Sequence, residues 1–166
     1  MKLLSVVKRI ITESISNYSD SIVDYIASKE SFKSKPYKDS GGLLTIGYGT
    51  RLKYYPELKD VKTISQNQAK QYLKKHIDGN VKSAITKYVK VPLDQNKFDA
   101  LVSLIYNIGR KNFINSELLK KINSLDDYGI RREWLKWNKD RKGNVLNGLN
   151  TRRQEELNLF GRFVKG

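Results

Sequence analysis

The sequence predicts a mainly helical α+β fold. Three observations carry that expectation. Apolar residues recur at three- and four-residue steps through most of the chain, the mark of helices with one buried face. A single stretch, from Tyr37 to Ile46, shows instead strand-like runs around a Gly41-Gly42 turn, as in a hairpin. The length, 166 residues with 39% hydrophobic and 30% charged, suits one globular domain or two small lobes sharing a core.

The elements follow in order. Leu4, Val7, Ile11 and Ile15 form one apolar stripe, predicting an amphipathic helix over about residues 2–16, packed on the body. A second helix starts near Ser19 or Asp20, either of which caps exposed N–H groups, buries Ile22, Val23 and Ile26, and ends around Glu30. Tyr37-Lys38-Asp39 and Leu43-Leu44-Thr45-Ile46 read as short strands. Gly47 and Gly49 then mark a bend or a close approach of backbone. Ser65 with Gln68 is a capping box that opens a helix toward Asp78, where Gly79-Asn80 can interrupt it. Val81, Ile85 and Val89 share one helix face. Pro92-Leu93-Asp94 begins a helix whose segment from Phe98 to Ile105 is nearly all apolar, so it belongs in the middle of a helical core and stops at Asn107-Ile108-Gly109. Shorter helices are expected at about 116–122 and 127–137, then a charged turn from Lys139 to Asn144. Thr151 with Gln154 predicts a capping box opening the last helix, which reaches about Phe163.

Charge narrows the partners. Lys+Arg number 32 against 17 Asp+Glu, a formal +15, which attracts polyanions: nucleic acid, anionic membrane surfaces or the acidic polymers of a cell envelope. The chain has no cysteine, so it makes no disulfide or thiolate metal site. Its one histidine, His76, excludes zinc sites built from His and Cys, and reads as a side chain on a helix surface or interface. No metal or cofactor is expected. At the N-terminus the apolar run Leu3 to Val7 is cut by Lys8 and Arg9, too short for a signal peptide, and no transmembrane segment is expected elsewhere.

One constellation carries chemistry. Breaking a glycosidic bond needs a protonated carboxyl to donate to the leaving oxygen and a carboxylate acting on the other face of the sugar. Glu30, at a helix end beside Phe32 and Tyr37, suits the acid. Asp39, on a hairpin between Lys38 and Ser40, suits the ionised partner. Thr45 lies on the returning strand, where its hydroxyl can orient a water held by Asp39. Two acids and a threonine near a hairpin are also common surface decoration.

The intervals E-x8-D-x5-T, within E-S-F-K-S-K-P-Y-K-D-S-G-G-L-L-T-I-G-Y-G, resemble the catalytic signature of phage-type lysozymes, the endolysins of glycoside hydrolase family 24. L-D-Q-N-K-F-D-A-L-V-S-L-I-Y-N-I-G is similar to that family's buried central helix. N-F-I-N-S-E-L-L-K-K-I-N resembles the next helix, and N-G-L-N-T-R-R-Q-E-E-L the closing segment; the likeness covers about residues 22–163.

The resemblance implies a lysozyme-like two-lobe fold: a small antiparallel sheet lobe over about 30–64, a linking helix from about 66, and a larger helical lobe over about 80–163. Together they make one domain over 19–166, behind an N-terminal helix over 1–18. It implies Glu30 as general acid, with Asp39 and Thr45 activating water, and an inverting reaction that needs carboxyls about 6.5–9.5 Å apart. Tyr106, Asn107 and Ser116 match cleft-lining positions, although Asn107 and Ser116 read equally well as structural caps. Arg152 and Arg153 match the family's double arginine, and read locally as the surface start of a helix.

The implied substrate is bacterial peptidoglycan, cut between N-acetylmuramic acid and N-acetylglucosamine. The implied life history is synthesis in the host bacterial cytoplasm and release to the wall at lysis, by a monomer with no specific nucleic-acid partner. Attraction to anionic envelope polymers accounts for the charge. Many members follow G-Y-G with histidine, where this chain has Thr50; any ion pair of that histidine is missing, so stability rather than chemistry should differ. Two rivals stay open. A lytic transglycosylase uses one acid and no water-activating carboxylate, against which Asp39 in register with Thr45 argues. A basic helical nucleic-acid binder fits the charge and the ten tyrosines, but no recognition motif is present.

Overall fold

The computed structural model describes residues 15–163. The expected helix over 2–16 lies almost wholly outside the described residues. The described chain divides into two compact units, one of residues 20–79 and one joining 15–19 to 80–163.

In the first unit, α1 (Asp20–Lys29) buries Ile22, Val23, Ile26 and Ala27 along one face. The three-stranded antiparallel sheet follows in the order β1-β2-β3, with β1 Lys33–Lys38, β2 Leu44–Gly47 and β3 Thr50–Arg51. Two 3-10 turns, Leu52–Tyr54 and Pro56–Leu58, lead to α2 (Gln66–His76). Ser65 and Gln68 cap α2 reciprocally, as the capping box predicts. Ala69 and Leu73 of α2 are buried, and its outer residues Lys70 and Lys74 pair with Asp24 (2.8 Å) and Asp20 (3.1 Å) of α1. Such exposed pairs are screened by water and add little, so burial of the apolar faces holds the two helices together.

The sheet differs from the sequence reading in two ways. β1 begins at Lys33 and runs through Pro36, which punctuated the chain in that reading. Proline lacks an N–H to donate, but β1 is an edge strand and its pairing is irregular between Lys33 and Tyr37, so no ladder bond is lost. β3 is only two residues long, too short to leave a periodic signal.

In place of an interruption at Gly79-Asn80, the chain makes one π-helical turn, Ile77–Val81, with Ile77 and Val81 both buried. Then come α3 (Lys82–Tyr88), α4 (Gln95–Ile108), α5 (Arg110–Ile114), α6 (Glu117–Asn123), α7 (Asp127–Leu135) and α8 (Asn147–Phe160). Asp94 caps α4 by accepting from Lys97 N–H at 2.8 Å. Phe98, Ala100, Leu101, Val102, Leu104 and Ile105 are essentially inaccessible, which places α4 at the centre of its unit as its composition predicts. α4 ends at Ile108, and Gly109 has φ +93°. That glycine stops one helix and at once starts α5, which the sequence reading missed because its five residues bury only Phe113.

The last helix corrects a further expectation. α8 starts at Asn147 rather than Thr151, and Thr151 donates its hydroxyl to Asn147 O (3.1 Å) instead of capping. Before it, Asp140 Oδ1 accepts from Lys142 and Asn144 N–H, both at 2.9 Å, closing the charged turn over the bridge Lys139–Val145.

Candidate active site

Glu30, Asp39 and Thr45 all fall in the unit of residues 20–79. Glu30 follows directly on α1, its N–H donating to Ile26 O at 3.0 Å, so the helix's last turn fixes where its side chain leaves the backbone. Glu30 is half-buried. Next to it, Phe32 packs its ring on Tyr48 with centroids 5.4 Å apart.

Asp39 closes the hairpin between β1 and β2. Its N–H donates to Leu43 O (2.9 Å) and its carbonyl accepts from Gly42 N–H (2.9 Å). Gly42 has φ +78°, a conformation that costs glycine nothing. The carboxylate takes part as well: Oδ1 accepts from Gly41 N–H at 2.8 Å and Leu43 N–H at 3.0 Å. An aspartate that hydrogen-bonds the backbone two residues on is a common way of shaping a turn, and here it also fixes the carboxylate plane. Oδ2 lies 3.6 Å from Arg51 Nε.

Thr45 is 2% exposed and donates its hydroxyl proton to Leu43 O at 2.9 Å. Register sets its neighbours. Tyr37 pairs with Thr45, and Thr45 with Arg51, so one row runs across all three strands. Directly paired residues project from the same face of a sheet. Tyr37, Thr45 and Arg51 therefore share a face. Gly47, at the end of β2, allows α2 to approach: a Cβ there would meet Ala69 Cβ at 2.9 Å, and its φ is +67°.

Tyr37 reports on the surroundings of both acids. Burial raises its phenol above the ordinary value, and the charges of Asp39 and then Glu30 raise it further. The phenol thus lies within electrostatic reach of both carboxyl groups. His76, the last residue of α2, is half-buried; burial lowers its pKa from 6.5, with the Arg51 charge adding to the effect. Its placement agrees with the helix-interface reading. The row partner Arg51 was missed because nothing marks it until β3 is known to pair with β2.

The other expected residues lie in the second unit. Tyr106, half-buried, and Asn107, exposed, sit in the last turn of α4. Ser116 is the N-cap of α6: its hydroxyl accepts from Leu119 N–H (3.2 Å) and donates to Phe113 O (2.7 Å), which realises the cap reading. Arg152 and Arg153 correct the expectation of a surface helix start. They are 4% and 0% exposed, because α8 begins a turn earlier and turns them inward. There Glu156 gathers a network. Its Oε1 accepts from Ser103 Oγ (2.7 Å) and Arg153 Nη2 (2.9 Å), and its Oε2 from Trp134 Nε1 (3.0 Å). Among the described residues no group of three or more His, Cys, Asp or Glu is placed to hold a metal.

Known proteins resemble this chain in sequence and in fold. Residues 27–156 match the family model of phage lysozyme. An endolysin of Acyrthosiphon pisum secondary endosymbiont phage 1 is 39% identical over 134 residues, 79% of this chain and 88% of that one. The endolysin of Salmonella phage P22 is 35% identical over 133 residues, covering 80% and 89%. Among solved structures, an endolysin from Escherichia coli O157:H7 phage FAHEc1 superposes with a TM-score of 0.71 at 35% identity, over 87% of this chain and 92% of that one. A match of that extent by sequence and by fold leaves one assignment: the chain belongs to the phage lysozyme family and is a peptidoglycan-cleaving glycoside hydrolase.

Proposed function

We propose that this lysozyme hydrolyses the β-1,4 bond between N-acetylmuramic acid and N-acetylglucosamine, with Glu30 as general acid and Asp39 and Thr45 directing a water. Glu30 gives its proton to the glycosidic oxygen as the bond to the anomeric carbon breaks. Water adds to that carbon from the opposite face, Asp39 takes the water's proton, and the product is a new reducing end with inverted configuration. Thr45 spends its own proton on Leu43 O, so its oxygen acts as an acceptor that orients the water.

The observation that carries this reading is the hairpin that orients the Asp39 carboxylate through Gly41 and Leu43 N–H, with Thr45 on the returning strand, in a chain of the phage lysozyme family. Tyr106, Asn107 and Ser116 are proposed as substrate contacts on the strength of the resemblance alone. The enzyme acts as a monomer, is made in the host cytoplasm before release to the wall, and is drawn to anionic envelope polymers by its +15 charge. Among the described residues no helix is long and apolar enough to cross a membrane.

Digestion of purified peptidoglycan, followed by mass spectrometry and analysis of the product anomer, tests the reaction. Reducing muramic acid ends formed first as the α anomer are expected. Ends of the 1,6-anhydro type would overturn hydrolysis, and β anomers would overturn inversion.

A further inference from the structure

We propose that Arg51 is a positioning residue for the reaction, holding the Asp39 carboxylate in the orientation that serves the attacking water. This inference rests on the reading of Asp39 as the residue that activates water.

The two oxygens of Asp39 are treated differently. Oδ1 is committed to the hairpin through Gly41 and Leu43 N–H. Oδ2 is the oxygen turned toward Arg51 Nε, at 3.6 Å. That distance permits ion pairing but is too long for a hydrogen bond, so the guanidinium attracts Oδ2 without taking a lone pair. A backbone loop at Oδ1 and a cation near Oδ2 together bias the tilt of the carboxylate.

Arg51 is itself fixed by the sheet. It pairs directly with Thr45, which pairs directly with Tyr37, and Asp39 stands in the hairpin turn just past the end of β1, with Oδ2 near the guanidinium. The cation that shares a face with Thr45 is therefore also the one beside the Asp39 carboxylate. The charges that meet about the pair are those of Glu30, felt with Asp39 at the Tyr37 phenol, and of Lys53, felt with Arg51 at the Tyr54 phenol. His76 senses the Arg51 charge as well, after the larger effect of its own burial. With Arg51 37% exposed and Asp39 21% exposed, an ion pair of this kind adds little to stability. Its effect is orientation, and misplacement of a reacting group by about 1 Å costs about 100-fold in rate.

The test compares Arg51→Gln, Arg51→Lys, Asp39→Asn and the double variant Asp39→Asn/Arg51→Gln on soluble peptidoglycan fragments, across pH, with thermal melts as a check of folding. For Arg51→Gln, kcat should fall about 10–100-fold with KM nearly unchanged. The acidic limb of the kcat/KM profile should move to higher pH, because the carboxylate has lost its cation. Arg51→Lys should recover most of the rate, and Arg51→Gln should have no further effect once Asp39 is Asn. A raised KM at unchanged kcat, an unmoved acidic limb, or an Arg51→Gln effect that persists beside Asp39→Asn would overturn the proposal. Full activity in Asp39→Asn alone would instead sink the reading of Asp39 itself.

Discussion

In the proposed mechanism Asp39 has two jobs for one carboxylate, and they separate by substitution. Asparagine keeps an oxygen to accept from Gly41 and Leu43 N–H, whereas alanine leaves both donors to water. Asp39→Asn is expected to fold with nearly parental stability and lose about 10²–10⁴-fold in activity. Asp39→Ala should lose as much activity and a further ~1 kcal/mol of stability, measured by urea unfolding. His76 supplies a prediction in pH. Its folded pKa lies below the ordinary 6.5, so the unfolded chain binds the extra proton more readily. The stability it contributes is therefore present above pH 6.5 and is lost as pH falls through the folded value. Melting at pH 7.5 and 5.5 should show a smaller acid loss in His76→Gln than in the parent; an equal loss would refute this. At this scale the sequence singles out Glu30, Asp39 and Thr45 by spacing, and all three fall in the unit of residues 20–79. Arg51 left no such trace, since its relation to Asp39 exists only through strand pairing.

At the scale of elements, local chemistry that acts within a few residues was readable and tertiary compensation was not. The capping pair Ser65 and Gln68 and the cap Asp94 begin helices where their side chains can reach exposed N–H groups. The all-apolar stretch of α4 could only be buried. Pro36 in β1, by contrast, is tolerated because the strand lies at an edge, and an isolated sequence does not show an edge. Arg152 and Arg153 misled for a similar reason. Two adjacent cations at a helix start belong in water unless a buried acid meets them, and Glu156 lies on the same helix with Ser103 of α4 and Trp134 of α7 beside it. Removing that acid strands two buried guanidinium groups. Glu156→Ala should lower unfolding stability by about 3–5 kcal/mol, measured by denaturant titration, and a loss below about 1 kcal/mol would show the network to be dispensable.

For the whole molecule, the excess of 32 cationic over 17 acidic residues is a property of the surface rather than of the fold. Binding to intact cell walls should weaken steeply as salt is raised from 50 to 300 mM, since the Debye length is about 8 Å at physiological ionic strength. Turnover of short uncharged glycan fragments should change little over the same range. Wall binding that ignores salt would mean contacts other than charge hold the enzyme there. The proposed donation of a proton from Glu30 to the glycosidic oxygen can be tested directly. The rate of peptidoglycan solubilisation by Glu30→Gln is measured beside the parent, at equal folded concentration shown by circular dichroism and melting. A loss of at least about 10²-fold with the fold intact is expected. Near-parental turnover by that variant would contradict it.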